Sequence, residues 1–163
     1  MKKVNIIFSS LVFAASLLIS SLAQAENIKI GVSFRMLSDV GYKHGMLIED
    51  TVKEWNASGG INGKKIDLTL YNDECKSEKG VANATKLAYQ DKVHVIIGSS
   101  CSSVTLPMVP VITKAKVPQI IPHSTSSNIT LTGSEWIFRV PVSSRFYKIV
   151  QAKFTAENAG TKI

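Results

Sequence analysis

Cysteine is scarce in this chain: Cys75 and Cys101 are the only two thiols in 163 residues. That excludes the small disulfide-dense scaffolds, and two thiols with no histidine or carboxylate at ligand spacing do not make a zinc site. The pair is far from C-x-x-C spacing, which removes the usual redox-active dithiol. Phosphate-binding glycine patterns are missing as well. There is no G-x-x-x-x-G-K-[ST], and the first strand-like run leads into Phe34-Arg35-Met36-Leu37-Ser38-Asp39 rather than a G-x-G-x-x-G. Nucleotide chemistry has no foothold, and no cofactor is expected. Charge of one sign is not concentrated either, since 19 Lys and Arg face 12 Asp and Glu for a net of +7. Lysines such as Lys64, Lys65, Lys76, Lys79, Lys86, Lys92, Lys114 and Lys116 are scattered with few aromatic neighbours. This is the pattern of a solvated surface, so no nucleic-acid partner is expected.

Long hydrophobic runs are absent except at the start, where Lys2 and Lys3 precede an apolar stretch from Val4 to Ile19. The stretch ends in Ser20-Ser21-Leu22-Ala23-Gln24-Ala25, whose Ala-x-Ala supplies the small side chains a signal peptidase admits. Residues 1–25 are therefore expected to be a cleavable signal peptide, with Glu26 as the mature start and no cysteine there to accept a lipid. A membrane anchor is the alternative, but the apolar core is shorter than the roughly 20 residues a spanning helix needs. Removing the two leader lysines leaves 17 basic against 12 acidic residues, a net of +5. The 138 residues that remain suffice for one domain with a sizeable core but not for two. Both cysteines enter an oxidising compartment as an even pair, so a disulfide is expected.

From Asn27 onward, short runs rich in β-branched residues alternate with helical patterns. Strands are expected over Ile28–Phe34, Lys65–Tyr71, Val93–Gly98, Val117–Ile121 and Trp136–Val140. A helix over Tyr42–Ala57 puts Met46, Ile48, Val52 and Trp55 mainly on one face and stops at Ser58-Gly59-Gly60. A second runs over Glu78–Gln90, with Val81, Ala84, Thr85, Leu87 and Ala88 toward the sheet. A third covers Ser102–Lys114, with Pro107 and Pro110 expected to shorten or kink it, and a fourth covers Ser144–Glu157. Thr161-Lys162-Ile163 reads as the opening of another strand. Strand and helix alternating at this spacing predict an α/β fold: a parallel sheet covered on both faces, with ligands beyond the carboxyl ends of its strands.

Two hydroxyl-rich loops follow neighbouring strands. Gly98-Ser99-Ser100-Cys101-Ser102-Ser103 runs straight into a helix, and a helix N-terminus favours an anion through free N–H groups and the positive end of its dipole. Pro122-His123-Ser124-Thr125-Ser126-Ser127-Asn128 follows the next strand at the same sheet edge. One loop can donate to a carboxylate while carbonyls and a hydroxyl of the other accept from an ammonium, so together they suit a small zwitterion. A bridge between Cys75 and Cys101 would tie the loops after strands two and three. A nucleophilic reading competes, because Ser102, His123 and Asp73 all sit in loops at one edge. No G-x-S-x-G elbow surrounds any serine, however, and the chain is not expected to be an enzyme. His44 and His94 read as a helix-surface and a strand residue.

The segments Asn56-Ala57-Ser58-Gly59-Gly60-Ile61-Asn62-Gly63, Tyr71-Asn72-Asp73-Glu74-Cys75, Ile97-Gly98-Ser99-Ser100-Cys101-Ser102-Ser103 and Pro122-His123-Ser124-Thr125 resemble the leucine/isoleucine/valine-binding proteins of ABC transporters. The resemblance spans essentially all of residues 26–163. It implies a Rossmann-like N-terminal lobe of a type I periplasmic-binding fold, and the cysteine pair matches the disulfide of branched-chain amino-acid binders. It further implies that Ser102 and nearby N–H groups hold the ligand's α-carboxylate. The His123 carbonyl and the Thr125 hydroxyl would receive its ammonium, and Ser100 and Cys101 would line the side-chain end. Ser124 and Tyr42 complete the set expected around the ligand. A periplasmic location, a membrane permease as partner and a monomeric state follow from the same likeness.

The chain also departs from the pattern. The Gly-Pro-type loop with an aromatic residue is not kept after strand one, where Val40 falls in the aromatic's place and Tyr42 follows two residues on. This leaves room for another solute, such as an amide or a urea-like molecule. The family has two hinged lobes, and Ile163 falls where the first crossing into lobe two is expected. The lobe is thus expected to be incomplete, without the acidic partner that lobe two brings to the ammonium, and to bind amino acids poorly or not at all by itself. A secreted hydrolase and a sensor domain are the readings kept from other classes.

Overall fold

The buried strands and amphipathic helices anticipated above assemble into one twisted parallel sheet. A computed structural model describes residues 26–36 and 39–158, with side chains from residue 43 onward in the second range. The expected leader and the strand opening at Thr161 lie outside the described residues. The strands are β1 (Ile28–Phe34), β2 (Ile66–Asn72), β3 (Val95–Gly98), β4 (Gln119–Ile121) and β5 (Ile137–Arg139). Their order is β2-β1-β3-β4-β5, all parallel, so the chain reverses direction across the sheet between β1 and β3. Ser33 of β1 lies opposite Gly98 of β3 at that switch point. Gly98 has φ +128°, and a Cβ there would stand 1.9 Å from the Ser33 carbonyl oxygen, so only glycine lets the strand ends approach this closely.

The helices are α1 (Asp39–Ala57), α2 (Ser77–Thr85), which continues through a π turn at Lys86–Gln90, α3 (Ser102–Ala115), α4 (Ser127–Leu131) and α5 (Ser144–Asn158). Ala84 and Leu87 from α2 and its π turn, Val104, Met108 and Ile112 from α3, Ile96 from β3 and Val93 just before it form the main core. Gly80 sits where a Cβ would be 2.1 Å from a Val104 methyl, which lets α2 lie hard against α3. Tyr71 packs on this core, whereas its neighbour Leu70 approaches Gly45 of α1. Successive strand residues face opposite ways, so α1 covers the other face of the sheet.

Several expectations are corrected. Trp55 and Met46 are 49% and 45% exposed, and the contact stripe of α1 runs through Gly45, Ile48 and Val52 instead. Thr85 is exposed, its hydroxyl donating to the Val81 carbonyl 2.8 Å away within its own helix. Pro107 and Pro110 lie inside α3 without ending it. Pro107 has no N–H for the Ser103 carbonyl, and the Ser77 hydroxyl from α2 donates to that carbonyl at 2.9 Å. Ser127 and Asn128, read as loop, begin the short helix α4, whose Ile129 joins Val109 and Ile121 in a second core cluster.

The sheet is less well covered toward β5. Phe138 and Val140 are exposed, and no described residue of α5 is buried, although Phe146, Tyr147, Ile149, Val150 and Phe154 are apolar. Among the described residues, no helix is long and apolar enough to cross a membrane.

Candidate functional site

The carboxyl ends of β1, β2 and β3 are fastened together by one buried carboxylate. Asp73, fully buried just beyond β2, accepts hydrogen bonds from the Ser99 hydroxyl at 2.6 Å and the Ser33 hydroxyl at 3.3 Å. Its other oxygen accepts from the Cys75 amide at 2.8 Å, and its own amide donates to the Phe34 carbonyl at 3.0 Å. The Asn83 side-chain amide donates to Ser33 Oγ at 3.2 Å, which brings α2 into the same network. Polar groups this deep need such partners, and these have them. The residues after Asp73 turn sharply, with Glu74 and Cys75 both at positive φ. Cys75 is bonded to Cys101, their Cα atoms 5.7 Å apart. The cystine joins the β2 turn to the residue that caps α3. Glu74 pairs with Lys79 and, at 3.0 Å, with Lys76, and these two ammonium groups hold its carboxyl below the ordinary 4.5.

From this anchor the structure builds the first serine loop. Ser99 is buried, and its hydroxyl also accepts from the Cys101 amide at 3.3 Å. The Cys101 carbonyl accepts from the amides of Val104 and Thr105, opening α3. The amides of Ser102 and Ser103, at the first two helical positions, have no carbonyl one turn back to receive them. Ser100 and Ser102 are half-buried. The Ser100 hydroxyl lies 4.0 Å from the Cys101 sulfur.

The second loop docks on the first. Ser102 Oγ accepts from the Ser126 amide at 3.2 Å, so Ser102 and the turn that contains Thr125 share one rim of the sheet. Ser124 departs from the expectation that it faces a ligand. It is 1% exposed, and its hydroxyl is committed to Thr105 Oγ1 at 2.7 Å and the Ser99 carbonyl at 2.9 Å. Its place is beneath the turn, bracing one loop on the other. The Thr125 carbonyl accepts from the Ser144 amide at 2.8 Å and from the Arg139 guanidinium at 3.3 Å, while its side chain is half-buried. The His123 ring is exposed and meets Phe34 edge-on, with centroids 5.7 Å apart. Tyr42 belongs to an early turn of α1, and its side chain lies outside the described residues.

Three features escaped the sequence reading. Ser33 and Thr105 carry no role in the sequence reading and Ser99 enters it only within the serine loop, yet each is fully buried and each helps to hold the rim. The signal that finds them is positional: each stands at or just past the carboxyl end of a strand or in the first turn of α3, where an apolar residue is otherwise expected. The hydrolytic arrangement does not assemble. Asp73 spends its oxygens on Ser33, Ser99 and Cys75, and among the described residues no hydrogen bond links Asp73, His123 and Ser102. No group of three or more His, Cys, Asp or Glu among the described residues is placed to hold a metal ion.

Known proteins resemble this chain in sequence and in fold. The sequence pattern of the family described as "Periplasmic binding protein" matches residues 27–160. A Leu/Ile/Val-binding protein of Escherichia coli K12 is 33% identical over 127 residues, which are 76% of this chain and 34% of that protein. An amino acid binding protein of Pseudomonas aeruginosa is 41% identical over 85 residues, 52% of this chain and 23% of that one. Among solved structures, the branched-chain amino acid transporter substrate binding protein LivJ of Streptococcus pneumoniae, in complex with isoleucine, superposes with a TM-score of 0.73 at 28% identity. That superposition covers 81% of this chain and 38% of LivJ. A Desulfitobacterium hafniense ABC transporter substrate-binding protein in complex with Leu gives 0.69 at 31% identity, covering 81% and 39%. The chain thus spans well under half the length of each of these relatives. By its sequence over nearly all the described residues, and by its fold, the chain belongs to the periplasmic binding protein family.

Proposed function

We propose that this chain is the first-lobe part of a substrate-binding component of an ABC importer, which captures leucine, isoleucine, valine or a related amino acid in the periplasm. The observation that carries the reading is the docking of two serine- and threonine-bearing turns at the switch point of the sheet, held by Asp73 and the Cys75–Cys101 bridge. In open α/β sheets this crevice is where ligands sit. The Ser102 hydroxyl and the Ser102 and Ser103 amides are the donors for the α-carboxylate, and the N-terminal dipole of α3 adds to them. The His123 carbonyl and the Thr125 hydroxyl accept from the ammonium. Ser100 and Cys101 border the side-chain end. Residues 1–25 act as a cleavable export signal, residues 26–163 form the partial lobe, a membrane permease is the partner, and the protein turns nothing over.

One wall of a cleft holds a zwitterion weakly, because closure supplies the remaining contacts and excludes water. Leucine is therefore expected to bind with a dissociation constant in the millimolar range, about −4 kcal/mol. Amide resonances titrated with leucine, isoleucine and valine test this. Shifts confined to Ser100–Ser103 and His123–Ser126 and abolished by Ser102→Ala support the reading, whereas no shift at saturating amino acid overturns it. Calorimetry showing micromolar affinity refutes the dependence on a second wall. A hydrolase would instead show turnover that Ser102→Ala removes.

A second ligand class has its own support. A solute binding protein of Rhodopseudomonas palustris in complex with 3,4-dihydroxy benzoic acid is 28% identical, with a TM-score of 0.68 over 36% of its length. Here the rings of Phe34, His44 and His123 gather at the same rim. An amide, urea-like or ring-bearing acid is accordingly the alternative, and the same titration run with those solutes separates them from leucine.

A further inference from the structure

We propose that His44 and His123 form a two-imidazole site for a divalent transition-metal ion at the mouth of the cleft. The two residues come from different elements, His44 from α1 and His123 from the turn after β4, and 78 residues of chain separate them. Their ring centroids nevertheless lie 4.9 Å apart, with the ring planes inclined at 43°. Phe34, almost fully buried at the end of β1, meets both rings edge-on, His44 at 6.0 Å and His123 at 5.7 Å. This shared brace restrains both imidazoles while the His123 side chain remains open to solvent.

The separation suits coordination. An imidazole nitrogen binds zinc at about 2.0–2.1 Å, which puts each ring centre roughly 3.2 Å from the metal. Two such ligands at an angle between square and tetrahedral place their centres roughly 4.5–5.2 Å apart. The observed spacing falls inside that window. A 43° inclination is also not the parallel, offset packing that a simple stack of two rings adopts. Imidazole ligands suit copper, nickel and zinc, with copper bound most tightly in the usual order.

No third histidine, cysteine or carboxylate joins the pair among the described residues, so water completes the coordination sphere. The site is then open and of moderate affinity, unlike a closed structural zinc site. It does not depend on the amino-acid reading, because the rings bind metal whether or not a zwitterion sits nearby.

His94 supplies an internal control. Its Nδ1 accepts the Lys29 amide at 3.0 Å on the opposite, amino-terminal side of the sheet, and it has no imidazole neighbour among the described residues. The test is calorimetric titration of the untagged protein with zinc alone and with copper alone, in the absence of any amino acid. One ion per chain is expected, and the nitrogen couplings in the copper spin-resonance spectrum should report two imidazoles. His44→Phe and His123→Phe keep a ring against Phe34 but remove the ligand nitrogens, and each should weaken binding by an order of magnitude or more. His94→Ala should leave it unchanged. Circular dichroism shows that each variant is folded, and His44→Gln or His123→Gln replaces any Phe variant that is not. Equal affinity in the parent and both ring-preserving variants, or loss of binding in His94→Ala alone, overturns the proposal.

Discussion

Replacing Asp73 tests whether the rim is held by one buried carboxylate. In Asp73→Ala three donors lose their acceptor: the Cys75 amide at 2.8 Å, the Ser99 hydroxyl at 2.6 Å and the Ser33 hydroxyl at 3.3 Å. A buried donor left unpaired costs about 1–3 kcal/mol. The amide has a fixed direction and incurs most of that cost, whereas the hydroxyls can swing and incur less, so the sum is about 3–5 kcal/mol. For a chain of this length that lowers the thermal midpoint by roughly 10–20 °C. Asp73→Asn keeps an oxygen for the Cys75 amide. Its amino group, however, points at hydroxyl oxygens that already accept from Asn83 and Cys101. Its cost is expected to be smaller, about 1–2 kcal/mol. Thermal and urea unfolding of the oxidised protein, followed by circular dichroism, measures both. If Asp73→Ala lies within about 1 kcal/mol of the parent, or Asp73→Asn is the worse of the two, the carboxylate is not what fastens the strand ends.

Three other perturbations probe the same framework. Gly98→Ala forces a Cβ to 1.9 Å from the Ser33 carbonyl oxygen at φ +128°, and the expected loss, about 3 kcal/mol or more, should appear as collapsed soluble yield and a lowered urea midpoint. Reducing Cys75–Cys101, whose partners are 26 residues apart, should lower stability by about 3.5 kcal/mol in the chain-entropy model, read as the urea midpoint with and without a thiol reductant. Acid titration tests Glu74. Lys79 and Lys76 hold its carboxyl below the unfolded value of 4.5, so the stability from this pair is present above that value and is lost as pH falls through the lower folded value. Glu74→Gln should flatten the fall in thermal midpoint over that acid range while leaving the neutral-pH slope alone.

Much of the fold was readable because the strands of a parallel sheet become β-branched runs whose ends are set by glycine and by polar turns. β1 matches its expected bounds at Ile28 and Phe34, and the other strands differ by one to two residues at an end. The misses have local causes. Helix α4 is five residues long, and only Ile129 of it is buried, which leaves no periodicity to detect. Pro107 is tolerated because Ser77, 30 residues earlier, takes over the orphaned carbonyl, a compensation no window on α3 contains. Trp55 and Met46 lie outside the stripe that packs on the sheet, since small Gly45 rather than a large residue makes the close approach to Leu70. His44 and His123 could not be paired from sequence, as their proximity depends on how α1 lies against the turn after β4.

The candidate site was legible as a composition but not as a division of labour. Loops so rich in serine and threonine contain two populations that look alike in the chain. Ser99, Thr105 and Ser124 are turned inward, and each hydroxyl is paired with protein, so the rim keeps its shape without a ligand. Ser100, Ser102 and Thr125 are half-buried at the mouth, where a zwitterion can reach them. The two groups should therefore separate experimentally. Ser124→Ala removes a hydroxyl that joins Thr105 to the Ser99 carbonyl and leaves that pair only its longer direct bond of 3.3 Å, so it should cost about 1–2 kcal/mol of stability. At amino-acid concentrations corrected for the unfolded fraction, it should leave the leucine-induced shifts nearly intact. Ser102→Ala gives up one bond from the Ser126 amide on the half-open rim, so its stability should change by less than about 1 kcal/mol while the leucine-induced shifts vanish. Unfolding curves and amide titrations on the same two variants decide the matter. If Ser124→Ala also abolishes the shifts with its fold intact, the inward hydroxyls contact the ligand after all, and a preformed rim that waits for a closing partner is the wrong physical picture.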